Sequence, residues 1–145
     1  MEDSAKRLEM PVFPQDRFVK AIEENGGNVV VYENCGGAKS VDRLIDEDAE
    51  DIYQAIAERY LAIGCSVMTP DTNRYELLER LLDEYQVEGV VEMTLQACHT
   101  YNIEAKSIEK RVKEKGLPYI HIETDYSQAD VGQLDTRIAA FLEMI

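Results

Sequence analysis

The residues of this 145-residue chain best suited to chemistry are its three cysteines, Cys35, Cys65 and Cys98. The first lies in NCGG and the last in QACHTY, each just past an apolar run that reads as a strand. The second follows a predicted helix, in GCSVMTP. Free cysteine is often a small buried hydrophobe, but these three fall in predicted loops rather than on apolar helix faces. The loops could therefore bring three sulfur atoms to one edge of a sheet.

The neighbours of the first and last cysteines favour a ligand-binding role over a structural one. Gly36 and Gly37 would let main-chain amides approach a sulfur atom or an anion closely. His99 and Tyr101 would add hydrogen-bonding side chains that a purely structural thiol does not need.

A further predicted loop, TDYSQAD, follows the strand PYIHIE. It carries Asp125, Tyr126 and Ser127 to the same edge, where they could surround a bound group as polar neighbours. His121 lies inside that strand and is interpreted as a core histidine with its hydrogen bonds satisfied.

The spacing of the cysteines limits the chemistry they could support. The intervals between them are far longer than the gap of two residues in paired zinc ligands. Iron–sulfur clusters are held by thiolates and accept ligands from distant loops, because only the final geometry matters. Three protein ligands would leave one cluster iron free, which suits a catalytic cluster better than an electron carrier.

Other cysteine and glycine motifs fail on particular residues. A tyrosine-phosphatase loop requires arginine six positions after its cysteine, where this chain has Val41. A phosphate-binding loop requires glycine before its lysine, but Ala38 precedes Lys39. Nucleophilic catalysis by Cys98 with His99 is disfavoured, since adjacent side chains rarely face each other.

The elements that must position these residues alternate along the chain. Short β-branched runs predict strands at Val29–Tyr32, Gly89–Met93 and Tyr119–Ile122, and amphipathic helices separate them. Strands alternating with helices of about 10 to 15 residues indicate a three-layer α/β domain with a mainly parallel sheet. We predict an irregular arm over residues 1–15 and one domain over residues 16–145.

Composition narrows the partners and the compartment. Fifteen basic residues against 29 acidic residues give a net charge of −14, which argues against nucleic acid and anionic membranes. The start, MEDSAKRLEMPVF, has no apolar signal core, and no apolar run approaches the roughly 20 residues of a membrane span. We therefore expect a cytoplasmic protein whose thiols stay reduced.

Several segments resemble the carboxyl-terminal half of the 2-hydroxyacyl-CoA dehydratase and benzoyl-CoA reductase family. They are, in order, YENCGGAKS, CSVMTPDTNRYELLERLLDEY, EGVVEMTLQACHTYNIE and IETDYSQADVGQLDTRIAAFLEMI. The resemblance runs from about residue 16 to residue 145. Within the family, NCGG is most similar to the double-cubane cluster proteins.

The resemblance implies Rossmann-like domains that hold an iron–sulfur cluster between them. In the dehydratases, an ATP-hydrolysing activator with its own cluster delivers a low-potential electron to a 4Fe-4S cluster, which allows radical dehydration of a 2-hydroxyacyl-CoA. In the double-cubane branch, two cubanes share a sulfide and reduce small molecules. Cys98 matches a cluster ligand found widely in the family, and Cys35 and Cys65 match positions typical of the double-cubane branch.

The resemblance also implies partners. The family's first half, with its own cysteines, is absent from this sequence, so we expect the chain to require that half or a partner subunit, together with the activator. A homodimer is a further candidate assembly. We do not expect this chain to be active alone.

Two other functions stay open at this point. The chain could be a truncated, non-catalytic α/β domain that binds no metal and serves in dimerisation or partner binding. A nucleotide or CoA site at the same sheet edge is supported only by analogy of fold.

Overall fold

The computed structural model describes residues 6–10, 16–127 and 129–145, with side chains from Arg17 onward. Strands and helices alternate along these ranges. In chain order they are β1 Lys6–Met10, α1 Asp16–Glu24, β2 Gly27–Tyr32, α2 Ala38–Val41, α3 Ile52–Leu61, α4 Thr72–Glu84, β3 Gly89–Leu95, α5 His99–Glu114, β4 Tyr119–Thr124 and α6 Val131–Glu143.

The strands form one parallel sheet in the order β2-β1-β3-β4. The three strands predicted from sequence are confirmed, and each extends two residues beyond its predicted bounds. The chain is therefore an α/β protein. The strand order reverses between β1 and β3, and in such sheets ligands bind beyond the carboxyl ends of the strands at this reversal.

Strand β1 corrects the prediction of an irregular arm over residues 1–15, which is wrong for residues 6–10. The segment KRLEM carries three charges and has no β-branched residue, so its local strand propensity is low. It pairs with β2 on one side and β3 on the other, and this tertiary pairing supplies the order that the local sequence does not. The rest of the predicted arm lies outside the described residues.

Two apolar clusters anchor the helices to the sheet. Val91 and Met93 of β3 pack with α1 and α6, whereas Val90 packs with α4 and α5. Successive side chains of a strand point to opposite faces, so the two clusters lie on opposite faces of the sheet. The loops at the carboxyl ends of the strands are thus held by helices packed on both faces.

Helix α3 contributes little to either cluster, and Ala55 is its buried residue. The segment CSVMTP forms a turn in which the Met68 amide donates to the Cys65 carbonyl. Across the described ranges, no helix combines the length and apolar character needed to cross a bilayer.

Candidate functional site at the carboxyl edge of the sheet

The loop after β2 carries the first cysteine. The Gly36 amide donates to Asn34 Oδ1 at 2.9 Å, and the Gly37 amide donates to the Asn34 carbonyl at 3.1 Å. A β carbon on Gly37 would lie 2.2 Å from the Tyr32 carbonyl oxygen, whereas one on Gly36 would meet Asn34 Oδ1 at 3.6 Å. Gly37 is therefore required by close packing. Both glycine amides are used inside the turn, and Cys35 itself is exposed.

The loop after β3 places the last cysteine at the start of a helix. Ala97 has φ of 63°, a left-handed conformation that is uncommon for a residue with a side chain. This conformation turns the chain sharply from β3 into α5, and Cys98 becomes the residue immediately before the helix. Its Sγ lies 3.7 Å from Thr100 Oγ1.

The middle cysteine lies in the turn that precedes α4. Cys65 is half-buried, and its neighbour Ser66 is buried with no hydrogen-bond partner for its hydroxyl among the described residues. Ser66 lines a cavity of 550 Å³, a volume typical of small-ligand pockets. His99 and Thr100 line the same cavity, so the second and third cysteine segments meet there.

The first cysteine is linked to the third through a lysine and a tyrosine. Lys39 Nζ donates to the Tyr101 hydroxyl at 3.0 Å, which joins α2 to the first turn of α5. Burial lowers the pKa of Lys39, but the Glu33 carboxylate, Tyr101 and the charge of Cys35 raise it, and the net direction is upward. A buried cation therefore lies near the Cys35 thiol.

The three cysteines are free thiols on neighbouring loops. Within residues 6–10, 16–127 and 129–145, no three His, Cys, Asp or Glu side chains are placed to hold a metal ion. The structure thus brings the three segments to one edge without assembling their sulfur atoms into a ready ligand set.

The loop after β4 forms a second, polar part of this edge. Asp125, Tyr126 and Ser127 are exposed, and the Ser127 amide donates to Asp125 Oδ1 at 2.7 Å. Arg17 of α1 donates to the Asp125 and Ser127 carbonyls, each at 2.6 Å. Asp125 and Ser127 line a cavity of 370 Å³ together with Gln96, which lies in the loop that carries the third cysteine.

A buried cluster of charges, which was not among the predictions from sequence, lies beneath these loops. At its centre is Arg74 of α4, which is fully buried. Its Nε and Nη2 donate to Glu33 Oε2 at 3.1 and 3.0 Å, and its Nη1 donates to Glu104 Oε2 at 2.6 Å. Its Nη2 also lies 3.7 Å from Glu92 Oε1. Lys39 Nζ lies 3.9 Å from Glu33 Oε1.

Burial shifts the pKa of two acids in and beside this cluster. Burial raises the pKa of Glu92 to about 7, opposed by the hydrogen bond from Tyr119 and by the charge of Arg74. Burial also raises the pKa of Asp71 to about 6, and the nearby Glu104 carboxylate adds to the rise. Both groups can therefore exchange a proton near neutral pH.

Some sequence signals for this cluster were available. Glu92 interrupts the apolar run GVVEMT of a buried strand, and Glu33 directly follows another apolar strand. Arg74 precedes Leu77 and Leu78 by three and four residues, so it lies on the buried stripe of α4. A charge at such positions indicates a buried ion pair, but its partners cannot be read from the pattern.

His121 agrees with its interpretation as a satisfied histidine of the strand. It is half-buried in β4, and its Nε2 lies 2.7 Å from Thr94 Oγ1. Burial lowers its pKa. It therefore belongs to the packing between β3 and β4.

Comparison with known proteins decides the family. The family model described as 2-hydroxyglutaryl-CoA dehydratase, D-component, matches residues 9–145. This chain belongs to that family. The match covers all three cysteines and the charge cluster, and the family resemblance stated from the sequence is confirmed.

Curated members of this family are similar over most of the chain. The proposed dehydratase subunit YjiM of Escherichia coli (strain K12) is 53% identical over 131 residues, which is 90% of this chain and 34% of that protein. A benzoyl-CoA reductase subunit of Thauera aromatica is 28% identical over 88% of this chain and 30% of that protein. The (R)-phenyllactyl-CoA dehydratase beta subunit of Clostridium sporogenes is 23% identical over 88% of this chain and 34% of that protein. The chain thus spans about a third of the length of these relatives.

Proposed function

We propose that this chain is the iron–sulfur cluster-binding α/β domain of a 2-hydroxyacyl-CoA dehydratase-like enzyme. The observation that carries the proposal is the position of its three free thiols, on three loops at the carboxyl edge of one parallel sheet. Cys35, Cys65 and Cys98 would supply the thiolate ligands. The finer assignment to the double-cubane branch stays a prediction based on NCGG.

The donor set fits an iron–sulfur cluster in its chemistry, since thiolates are the usual ligands of such clusters. The described residues hold no ready set of three ligands, so we expect loading to reorder the turns that carry the cysteines. A bound cluster would supply a low-potential electron for radical dehydration or reduction of a CoA-linked substrate.

Two features of the chain would favour the negative charge of a bound cluster at this edge. Lys39 is a buried cation near Cys35, and it would attract such a charge. Cys98 lies at the start of α5, where the unpaired main-chain amides of a helix favour negative charge. His99 and Tyr101, in the first turn of that helix, would lie beside the bound group as polar neighbours.

The proposal extends to the assembly. We propose that the chain acts in the cytoplasm with the rest of a dehydratase-like enzyme, either a missing first half or a partner subunit, and with an ATP-hydrolysing activator. The chain is about a third of the length of relatives that are themselves named as enzyme subunits, which supports such an assembly. We also propose a Rossmann-like three-layer sandwich, supported by the two apolar clusters on opposite sheet faces.

Anaerobic reconstitution tests the cluster directly. Purified chain is incubated with ferrous iron, sulfide and thiol reductant, desalted, and assayed for bound iron, bound sulfide and visible absorbance. We expect a brown protein, and we expect each of the variants C35S, C65S and C98S to hold less than half of the wild-type iron. Ser107→Ala is the matched control and should load like wild type. It alters the cavity lined by Ser66 and His99 but leaves all three thiols in place.

Cysteine variants that load as well as wild type would contradict the proposal. Relatives are about three times as long as this chain, so the same assay is also run on the chain together with any protein that co-purifies with it. A colourless protein in both preparations would contradict the proposal.

Helix α3 supports a second candidate function, a non-catalytic domain for dimerisation or partner binding. Tyr53 is 82% exposed and Leu61 is 69% exposed, on a helix whose buried residue is Ala55. Exposed apolar side chains on a helix mark a candidate contact surface. Sedimentation velocity distinguishes this function: concentration-dependent dimers that Tyr53→Ser abolishes, in a chain that binds no iron, would favour it over the cluster-binding domain.

A further inference from the structure

We propose that Arg74 is a positioning residue that holds the three cysteine segments in register with one another. This inference rests on the proposed function, because it concerns the same edge of the sheet. It concerns the arrangement of the metal-free chain, so it can be tested whether or not a cluster binds.

The first arm of Arg74 reaches the segment of Cys35. Nε and Nη2 both donate to Glu33 Oε2, at 3.1 and 3.0 Å, and Glu33 is 1% exposed and lies two residues before the cysteine. Charge-assisted hydrogen bonds of this kind are among the strongest in proteins. The guanidinium therefore anchors the chain at the point where it leaves β2 for the NCGG turn.

The second arm reaches the segment of Cys98. Nη1 donates to Glu104 Oε2 at 2.6 Å, and Glu104 lies in the second turn of α5, the helix that starts after the cysteine. The Arg74 Cζ also lies 5.1 Å from the centre of the Tyr101 ring, in the first turn of the same helix. A guanidinium over an aromatic ring adds a favourable electrostatic contact. Arg74 thus contacts the helix start twice.

The third contact is through the backbone and reaches the segment of Cys65. A β carbon on Gly64 would lie 2.5 Å from the Arg74 amide nitrogen and 2.6 Å from its Cα. The residue before Cys65 therefore packs directly on the main chain of Arg74, with no room for a side chain between them. One residue contacts the three segments at once.

The geometry of the guanidinium, and not its charge alone, explains why this residue is arginine. Three buried or nearly buried carboxylates, Glu33, Glu92 and Glu104, face two buried cations, Arg74 and Lys39. A lysine carries the same charge but has no planar fork, so it cannot bond two carboxylates along fixed directions. Substitution of Arg74 by lysine should therefore keep the net charge and lose the register.

Hydrogen exchange on the metal-free, reduced chain measures that register segment by segment. In Arg74→Lys, we expect amides in residues 33–41 and 96–104 to exchange about tenfold faster than in wild type, which corresponds to ~1.4 kcal/mol of lost protection. Residues 62–71 should keep their protection, because Gly64 packs on the main chain of residue 74, which the substitution leaves in place. We expect α6, which packs on the opposite face of the sheet from α4, to exchange as in wild type.

Arg111→Lys is the matched control. Arg111 joins the same two helices through Glu79, with Nη1 and Oε1 2.5 Å apart, but both side chains are more than a third exposed and neither lies in a cysteine segment. It should leave all three segments unchanged. If residues 33–41 and 96–104 exchanged as fast in this control as in Arg74→Lys, any loosening between α4 and α5 would have the same effect, and the assignment to Arg74 would be overturned.

Glu104→Gln tests the contact of Arg74 with α5 separately from its contact with Glu33. It also replaces Arg74→Lys as the test variant if that variant does not fold. It removes the negative charge from the contact with α5 while Glu33 keeps its bonds to Arg74. We expect faster exchange in residues 96–104 with residues 33–41 still protected. Acceleration spread evenly over the whole chain, or none in either variant, would overturn the proposal.

Iron loading of the same proteins keeps this inference distinct from the proposed function. If wild type binds no iron, the proposed function fails, and the exchange data alone decide the role of Arg74. If wild type loads and Arg74→Lys loads equally with the same visible spectrum, the positioning role is overturned while the cluster-binding function stands.

Discussion

Replacing Glu92 with glutamine should remove part of the pH dependence of this protein's stability. Glu92 is fully buried in β3, its Oε2 accepts a hydrogen bond from the Tyr119 hydroxyl, and its Oε1 has no hydrogen-bond partner among the described residues. Burial raises its pKa to about 7 from an ordinary value of 4.5. A glutamine at this position mimics the protonated acid at every pH.

The sign and size of the effect follow from these pKa values. Between pH 4.5 and about 7 the folded chain keeps a proton on Glu92 that the unfolded chain has lost. The stabilising effect of this proton is complete below the unfolded pKa and is lost as pH rises through the folded pKa. At about 1.4 kcal/mol for each tenfold difference in proton affinity, the wild-type chain loses ~3 kcal/mol over this range relative to the variant.

Urea unfolding at pH 5, 6, 7 and 8 measures the difference. We expect E92Q to match wild type at the acidic end and to exceed its free energy of unfolding by ~2 to 3 kcal/mol at pH 8. Glu76→Gln, on an exposed carboxylate 3.9 Å from Arg43, is the matched control and should show no such trend. A difference that stays constant with pH, or a wild-type chain more stable than E92Q at pH 8, would refute the reasoning.

Two further predictions concern the loops at the same edge. Gly37→Ala places a β carbon 2.2 Å from the Tyr32 carbonyl oxygen and should lower the free energy of unfolding by ~1 to 3 kcal/mol in a urea titration. The control Gly36→Ala should change it by less than about 0.5 kcal/mol. Equal effects of the two variants would exclude close packing as the reason for glycine at position 37. Arg17→Met removes the two main-chain bonds that hold the loop after β4 and should speed hydrogen exchange there about tenfold. Arg137→Met, which removes a single bond to the His121 carbonyl, should leave that loop unchanged, and an equal effect of both variants would contradict the anchoring role.

Much of the fold was determined by local patterns in the sequence. The β-branched runs around Val29, Val90 and Ile120 are strands because they can be covered on both faces, and all three were predicted with their parallel sense. Helix α5 is one of the amphipathic helices predicted between the strands, and its apolar residues Ala105, Ile108 and Val112 are buried. Short-range periodicity reports burial, so elements that bury an apolar face are readable from it.

Strand β1 was decided by tertiary pairing alone. Its segment KRLEM has no periodicity that distinguishes it from an irregular arm, yet it lies between β2 and β3 in the sheet. The hydrogen bonds that order it come from residues far along the chain. Local strand propensity does not depend on these distant residues, so it could not predict the strand.

Part of the candidate site was also predictable from the sequence, and part of it was not. The sequence by itself determined that three thiols follow elements of an α/β domain, since each cysteine stands beside a recognisable turn or strand end. Only the tertiary structure decided that Arg74, Glu33, Glu92 and Glu104 meet beneath those loops. The physical reason is that a buried charge is stable only with its partners, and these partners come from a helix, a loop, a strand and a second helix that local sequence patterns do not relate to one another.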